Sequence, residues 1–135
     1  MTESHRVLVV EDNEVNQMLV RAVLEREGYT VEIVASSPEA LDSMRWGLPD
    51  LILMDIQLPG EDGLTLTRRL KADPRTARVP VVALTAHAME GDREQALSAG
   101  CVAYISKPID TRLLATQIRQ FISGFGAKQE HEETV

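Results

Sequence analysis

The sequence predicts an α/β fold in which a parallel sheet is covered by helices on both faces, and three observations carry that prediction. Short apolar runs of strand length recur along the chain, most of them are continuous rather than alternating, and a helical pattern follows each one. Continuous apolar character means burial on both faces, which is how parallel strands read when they lie between helix layers.

The first run is residues 7–10. After it, Val15, Met18, Leu19, Ala22 and Val23 are spaced i, i+3, i+4, i+7 and i+8, one stripe of a helix that stops at Gly28. A weaker, alternating strand follows at residues 29–34. Ser37 is the expected N-cap of the second helix, with Pro38 at its first position, and Ala40, Leu41 and Met44 carry the pattern on to Gly47. Residues 51–54 form the third strand. The third helix follows Gly63 and ends near Asp73 and Pro74, because a residue before proline is pushed out of the helical region. Residues 79–84 are the fourth strand, and the fourth helix, residues 88–99, closes at Gly100. Residues 102–105 are the fifth strand, and a fifth helix after Asp110 carries Leu114, Ile118, Phe121 and Ile122. Strand then helix, five times with right-handed crossovers, makes a doubly wound, flavodoxin-like five-stranded parallel sheet of order 2-1-3-4-5 with five helices.

Length and composition fit one such domain. The chain has 135 residues, 44% of them hydrophobic, and 14 Lys plus Arg against 21 Asp plus Glu give a net charge of −7. Residues 1–123 hold all the periodic segments, and the polar residues 124–135 are expected to be a disordered tail. Cys101 is the single cysteine, so no intrachain disulfide or CxxC site is available, and a reducing, cytoplasmic setting is expected. No apolar run approaches the roughly 18 residues that span a bilayer, and no membrane insertion is expected. The acidic balance argues against nucleic acid as a direct partner. Arg68, Arg69, Lys71, Arg75 and Arg78 form a basic stretch, but no aromatic residue is interleaved for base stacking, so it reads as a solvated helix face and loop.

In a doubly wound sheet, ligands bind beyond the carboxyl ends of the strands. The predicted strands end in Glu11 and Asp12, in Asp55, in Thr85, and in Ser106, Lys107 and Pro108. Any one of these acids alone is explained by a helix cap or a solvated loop; three at adjoining strand ends are not. Clustered carboxylates need a positive charge among them, and an oxygen-rich set without thiolates suits Mg²⁺. With Lys107 and the Thr85 hydroxyl nearby, the arrangement suits phosphoryl transfer onto a carboxylate, with Asp55 the central candidate. Competing chemistries lack their parts: GxxxxGK[ST], GxGxxG after the first strand, and GxSxG are all missing. His5, His87 and His131 are too scattered for a zinc motif, and only His87 lies at the rim of the expected site.

These residues, with Pro49 to Pro59 around Asp55, Thr85-Ala86 and Lys107-Pro108, resemble the receiver domain of two-component response regulators over residues 6–123. The stretches MDIQLP and GCVAYISKPI look like single-domain regulators, and EDNEVNQ is similar to receivers of hybrid sensor kinases. The resemblance implies a phosphoacceptor signalling domain rather than an enzyme acting on a separate substrate. Asp55 would take the phosphoryl group from a histidine kinase or a histidine phosphotransfer protein. Asp12, Asp55 and the backbone carbonyl of Gln57 would hold Mg²⁺, with Glu11 acting through water. Thr85 and Lys107 would bind phosphoryl oxygens, the latter beside a cis peptide before Pro108. Thr85 and Tyr104 would form the switch, and Gln57 and His87 would modulate the lifetime of the acyl phosphate.

The resemblance also places the donor on the first helix. The output target would sit on the face of the fourth helix, fifth strand and fifth helix, and the chain would be a monomer or weak dimer. Two other functions stay open at this stage: a phosphate sink or relay that dephosphorylates itself rapidly, and a receiver excised from a hybrid sensor kinase. The initiating Met1 and the polar tail speak modestly against excision.

Overall fold

The computed structural model describes residues 5–58, 60–86 and 90–134. Five strands and five helices alternate: β1 (Arg6–Val10), α1 (Glu14–Arg26), β2 (Thr30–Val34), α2 (Ser37–Trp46), β3 (Leu51–Asp55), α3 (Gly63–Ala72), β4 (Val81–Thr85), α4 (Glu90–Ala99), β5 (Ala103–Ser106) and α5 (Thr111–Thr134). All neighbouring strands pair in parallel in the order β2-β1-β3-β4-β5, as the sequence predicts.

The period of two along each strand sorts the core into two layers. Leu8, Val10, Ile52, Met54, Val81 and Ala83 point to one face, where Ala40 and Met44 of α2, Leu66 and Leu70 of α3, and Ala96 and Ala99 of α4 cover them. Val7, Val9, Leu51, Leu53, Val82 and Leu84 point to the other, against Val20, Val23 and Leu24 of α1 and Leu114 and Ile118 of α5. β3 and β4 are buried along their whole length, which accounts for their unbroken apolar runs.

Three local expectations are corrected. α1 forms where expected and ends at Gly28 in the left-handed region, with φ of 92°. Its buried stripe, however, is Val20, Val23 and Leu24, while Val15 and Met18 are 63% and 71% exposed. The helix carries two overlapping apolar stripes that share Val23, and the one that faces the sheet is Val20, Val23 and Leu24. The N-cap of α2 is Ser36, whose Oγ accepts from the Glu39 N–H at 3.4 Å, so Ser37 is already helical and Pro38 follows it. β4 starts at Val81 because Pro80 has no N–H for the ladder, although its carbonyl accepts from Ile52. The α5 helix extends to Thr134. The predicted start of α4 at residue 88 lies outside the described residues.

The basic stretch is largely spent on the fold. Lys71 Nζ donates to the Ala77 and Val79 carbonyls at 3.0 and 2.6 Å, Arg69 pairs with Glu61 at 2.9 Å, and Arg75 donates to the Met44 carbonyl. Trp46, the one tryptophan, closes α2 and is 88% exposed. No helix among the described residues is long and apolar enough to cross a membrane.

Candidate functional site

The sheet brings its polar strand ends to one edge. β1 delivers Glu11, whose N–H donates to Val34 of the neighbouring strand at 2.9 Å and whose side chain is fully buried. Asp12 follows it and is exposed, and Asn13 caps α1 by accepting from the Asn16 N–H at 3.0 Å. β3 ends in Asp55, buried to 2% exposure in the centre of the sheet. Thr85, also buried, ends β4, and its carbonyl accepts from the Lys107 N–H at 2.7 Å. Lys107 leaves β5 through a cis peptide to Pro108.

α3 comes unusually near the central strand. The Gly63 N–H donates to the Ile56 carbonyl at 2.9 Å, and a methyl group at Gly63 would lie 2.1 Å from the Asp55 carbonyl oxygen, so only glycine fits there.

Carboxylate oxygens of Glu11, Asp12 and Asp55 all lie within 4.8 Å of one another. Lys107 Nζ sits among them, 2.9 Å from Glu11 Oε1 and 3.2 Å from Asp55 Oδ2. Its contact with Glu11 Oε1 is one of charge rather than a well-angled hydrogen bond, and that buried oxygen has no hydrogen-bond donor. Glu11 Oε2 accepts from the Asn13 N–H at 3.0 Å, and Asp55 Oδ1 accepts from the Gln57 N–H at 2.9 Å.

Burial pushes the Asp55 carboxyl up to about 6 from its ordinary 3.8. The Gln57 amide opposes this, Glu11 adds to it, and Lys107 opposes it. Burial alone would lower the Lys107 pKa, but the Glu11 and Asp55 carboxylates overcome that and raise it. Three carboxylates and one ammonium carry −3 + 1 = −2, which a divalent cation cancels. Hard oxygen donors, one of them buried without a hydrogen-bond donor, fit Mg²⁺.

The expected residues Glu11, Asp12, Asp55, Gln57, Thr85 and Lys107 are thus brought to one edge. Tyr104 lies on the neighbouring β5, half-buried against the core, with the Arg93 guanidinium 5.6 Å from its ring. His87 lies outside the described residues. Sequence reasoning missed two contributors: Gly63, and Gln17 on α1, whose Nε2 donates to the Glu11 carbonyl at 2.6 Å. Asn13 carried a signal as a cap residue just before a helix; Gln17 carried none.

A model of the response regulator receiver domain matches residues 7–119. The polar-differentiation response regulator DivK of Brucella ovis is 48% identical over 122 residues, covering 90% of this chain and 98% of that protein. The chain belongs to the response regulator receiver family. As a receiver it is a domain of two-component signalling, similar to DivK. Its fold matches that of the receiver domain of the sensor histidine kinase PA1611 from Pseudomonas aeruginosa, with a TM-score of 0.81 and 40% identity over 90% of this chain and 99% of that one. That receiver has a magnesium ion coordinated in its active-site cleft. A response regulator from Thermotoga maritima matches with a TM-score of 0.82 and 27% identity, again over 90% and 99% of the two chains.

Proposed function

We propose that this receiver accepts a phosphoryl group on Asp55 from a phosphohistidine and changes its protein contacts as a result. The observation that carries the reading is the buried Asp55 carboxylate sharing one edge with Glu11, Asp12 and Lys107. Asp12, Asp55 and the Gln57 carbonyl would hold Mg²⁺, with Glu11 acting through water. When bound, the ion neutralises the carboxylates and the developing charge on the phosphoryl oxygens.

One oxygen of Asp55 forms a bond to phosphorus as the bond from phosphorus to the histidine nitrogen breaks, and the imidazole leaves with the electron pair and takes up a proton. The product is an acyl phosphate. Lys107, already 3.2 Å from Asp55, pairs with a phosphoryl oxygen, and Thr85 at the end of β4 donates to another. The donor is a histidine kinase or histidine phosphotransfer protein, and the exposed Val15 and Met18 on α1 beside the acidic turn give it an apolar seat. The setting is cytoplasmic. Gln57 and His87 tune how fast water removes the phosphoryl group.

Drawing Thr85 toward the phosphoryl group frees space for Tyr104 to turn inward, biasing two packings of α4 and β5. That changes the face of α4, β5 and α5, where the output target binds. Tyr104→Ala should keep phosphorylation and lose the dependence of target affinity on it; a binding titration with and without phosphodonor reads this, and undiminished dependence removes Tyr104 from the switch.

The main test is intact-mass analysis after incubation with a small phosphodonor, with Mg²⁺ or with chelator. A Mg²⁺-dependent phosphoryl adduct that maps to Asp55, and is missing in Asp55→Asn, is expected. Slow decay fits a switch, fast decay a phosphate sink. No adduct from either a small donor or a phosphohistidine protein would overturn the reading.

A further inference from the structure

Asp12 is the one exposed member of the acid cluster, and among the described residues its side chain makes no hydrogen bond or ion pair. Its direction is therefore set through its backbone. The peptide plane that enters Asp12 begins at the Glu11 carbonyl, and Gln17 Nε2 donates to that oxygen at 2.6 Å. Gln17 is itself fixed, half-buried in the first turn of α1, with its N–H donating to the Asn13 carbonyl at 2.9 Å. The acidic turn is thus held at both ends from one residue: the Glu11 carbonyl by the side chain, the Asn13 carbonyl by the main chain.

We propose that Gln17 is a positioning residue for metal binding, aiming Asp12 at Mg²⁺ by pinning the peptide plane between Glu11 and Asp12. The inference rests on the reading that Glu11, Asp12 and Asp55 hold that ion. A hydrogen bond behind a metal ligand is worth more to the metal than to the fold, because it fixes the ligand before the ion arrives. A purely structural Gln17 would lower the melting temperature and leave the Mg²⁺ affinity of the folded protein unchanged.

The test is calorimetric titration of MgCl₂ into wild type, Gln17→Met and Gln17→His at about pH 8, where the imidazole is neutral. Melting curves in chelator accompany each titration. Gln17→Met keeps length and apolar volume but removes the donor, and its Mg²⁺ affinity should fall roughly tenfold. Gln17→His keeps a neutral N–H at similar reach and should stay within about twofold of wild type. Should Gln17→Met not fold, Gln17→Asn, one methylene short of the carbonyl, carries the same expected loss.

Wild-type affinity in Gln17→Met, or equal weakening in the Met and His variants, overturns the proposal while the metal-site reading stands. A wild-type protein that takes up no Mg²⁺ overturns both.

Discussion

Replacing Lys107 with methionine should lower the free energy of unfolding by about 3 kcal/mol in chelator, and Mg²⁺ should restore much of the loss. The ammonium lies 2.9 Å from a Glu11 carboxylate that is fully buried and 3.2 Å from an Asp55 carboxylate that is nearly so. Without it, two buried negative charges face each other with no cation between them. Methionine fills a similar volume, so the change isolates charge from packing. Because the pair is shielded from solvent, moderate salt should recover little of the loss, whereas a divalent cation supplies the missing charge at the site itself. Urea unfolding with chelator and with Mg²⁺ measures both quantities. A loss below about 0.5 kcal/mol, the size of an exposed ion pair, would mean that Lys107 is not the internal counter-charge.

Asp55→Asn should act in the opposite direction. A carboxyl raised from 3.8 to about 6 on folding makes the ionised native state pay on the order of 1 to 3 kcal/mol at pH 8, and an isosteric amide removes that cost. The amide still offers an oxygen to the Gln57 N–H, and Lys107 keeps Glu11 at 2.9 Å. The sign of the pH dependence follows from the raised value. Above it, both folded and unfolded wild type carry the charge, and the fold bears the full cost. As pH falls through about 6, the folded protein takes up the proton first and the cost disappears, so the variant's advantage should shrink toward zero near pH 4. Unfolding free energies in chelator at three pH values test this. An advantage that does not change with pH would point to packing rather than charge. In Mg²⁺ the ranking should reverse, since wild type gains binding energy that the amide forgoes. The double variant should be less destabilised than Lys107→Met alone, because the two residues act on one charge balance.

Much of the fold and site was legible because burial on both faces leaves unbroken apolar runs, and the polar residues ending those runs mark the carboxyl edge of the sheet. Glu11, Asp55, Thr85 and Lys107 all announce themselves in this way. Periodicity was less informative where two stripes overlap. In α1, Val15, Met18, Leu19 and Ala22 compete with Val20 and Leu24, with Val23 common to both, and only the sheet decides between them. Adjacent serines, Ser36 and Ser37, offer two caps one residue apart, and the cap falls on the one whose backbone is extended. Gln17 and Gly63 act on the site through Glu11 and Asp55 main-chain oxygens. No side-chain pattern encodes such contacts, since they exist only once α1 and α3 are docked.

Trp46 gives the receiver an unusual optical character. It sits where α2 hands over to the entry of β3, and Asp55 is at that strand's exit, roughly 13 Å further on at about 3.3 Å per residue. With 88% of its surface in water, its indole has nearly the surroundings in the native protein that it has in an unfolded chain. Its emission is therefore a steady background, insensitive both to events at the acidic edge and to unfolding. Trp46→Phe would leave only Tyr29 and Tyr104 as emitters, so the molecule would be dark to light that indole alone absorbs, and a single indole placed at half-buried Ile56, next to the acceptor, would then report that edge alone.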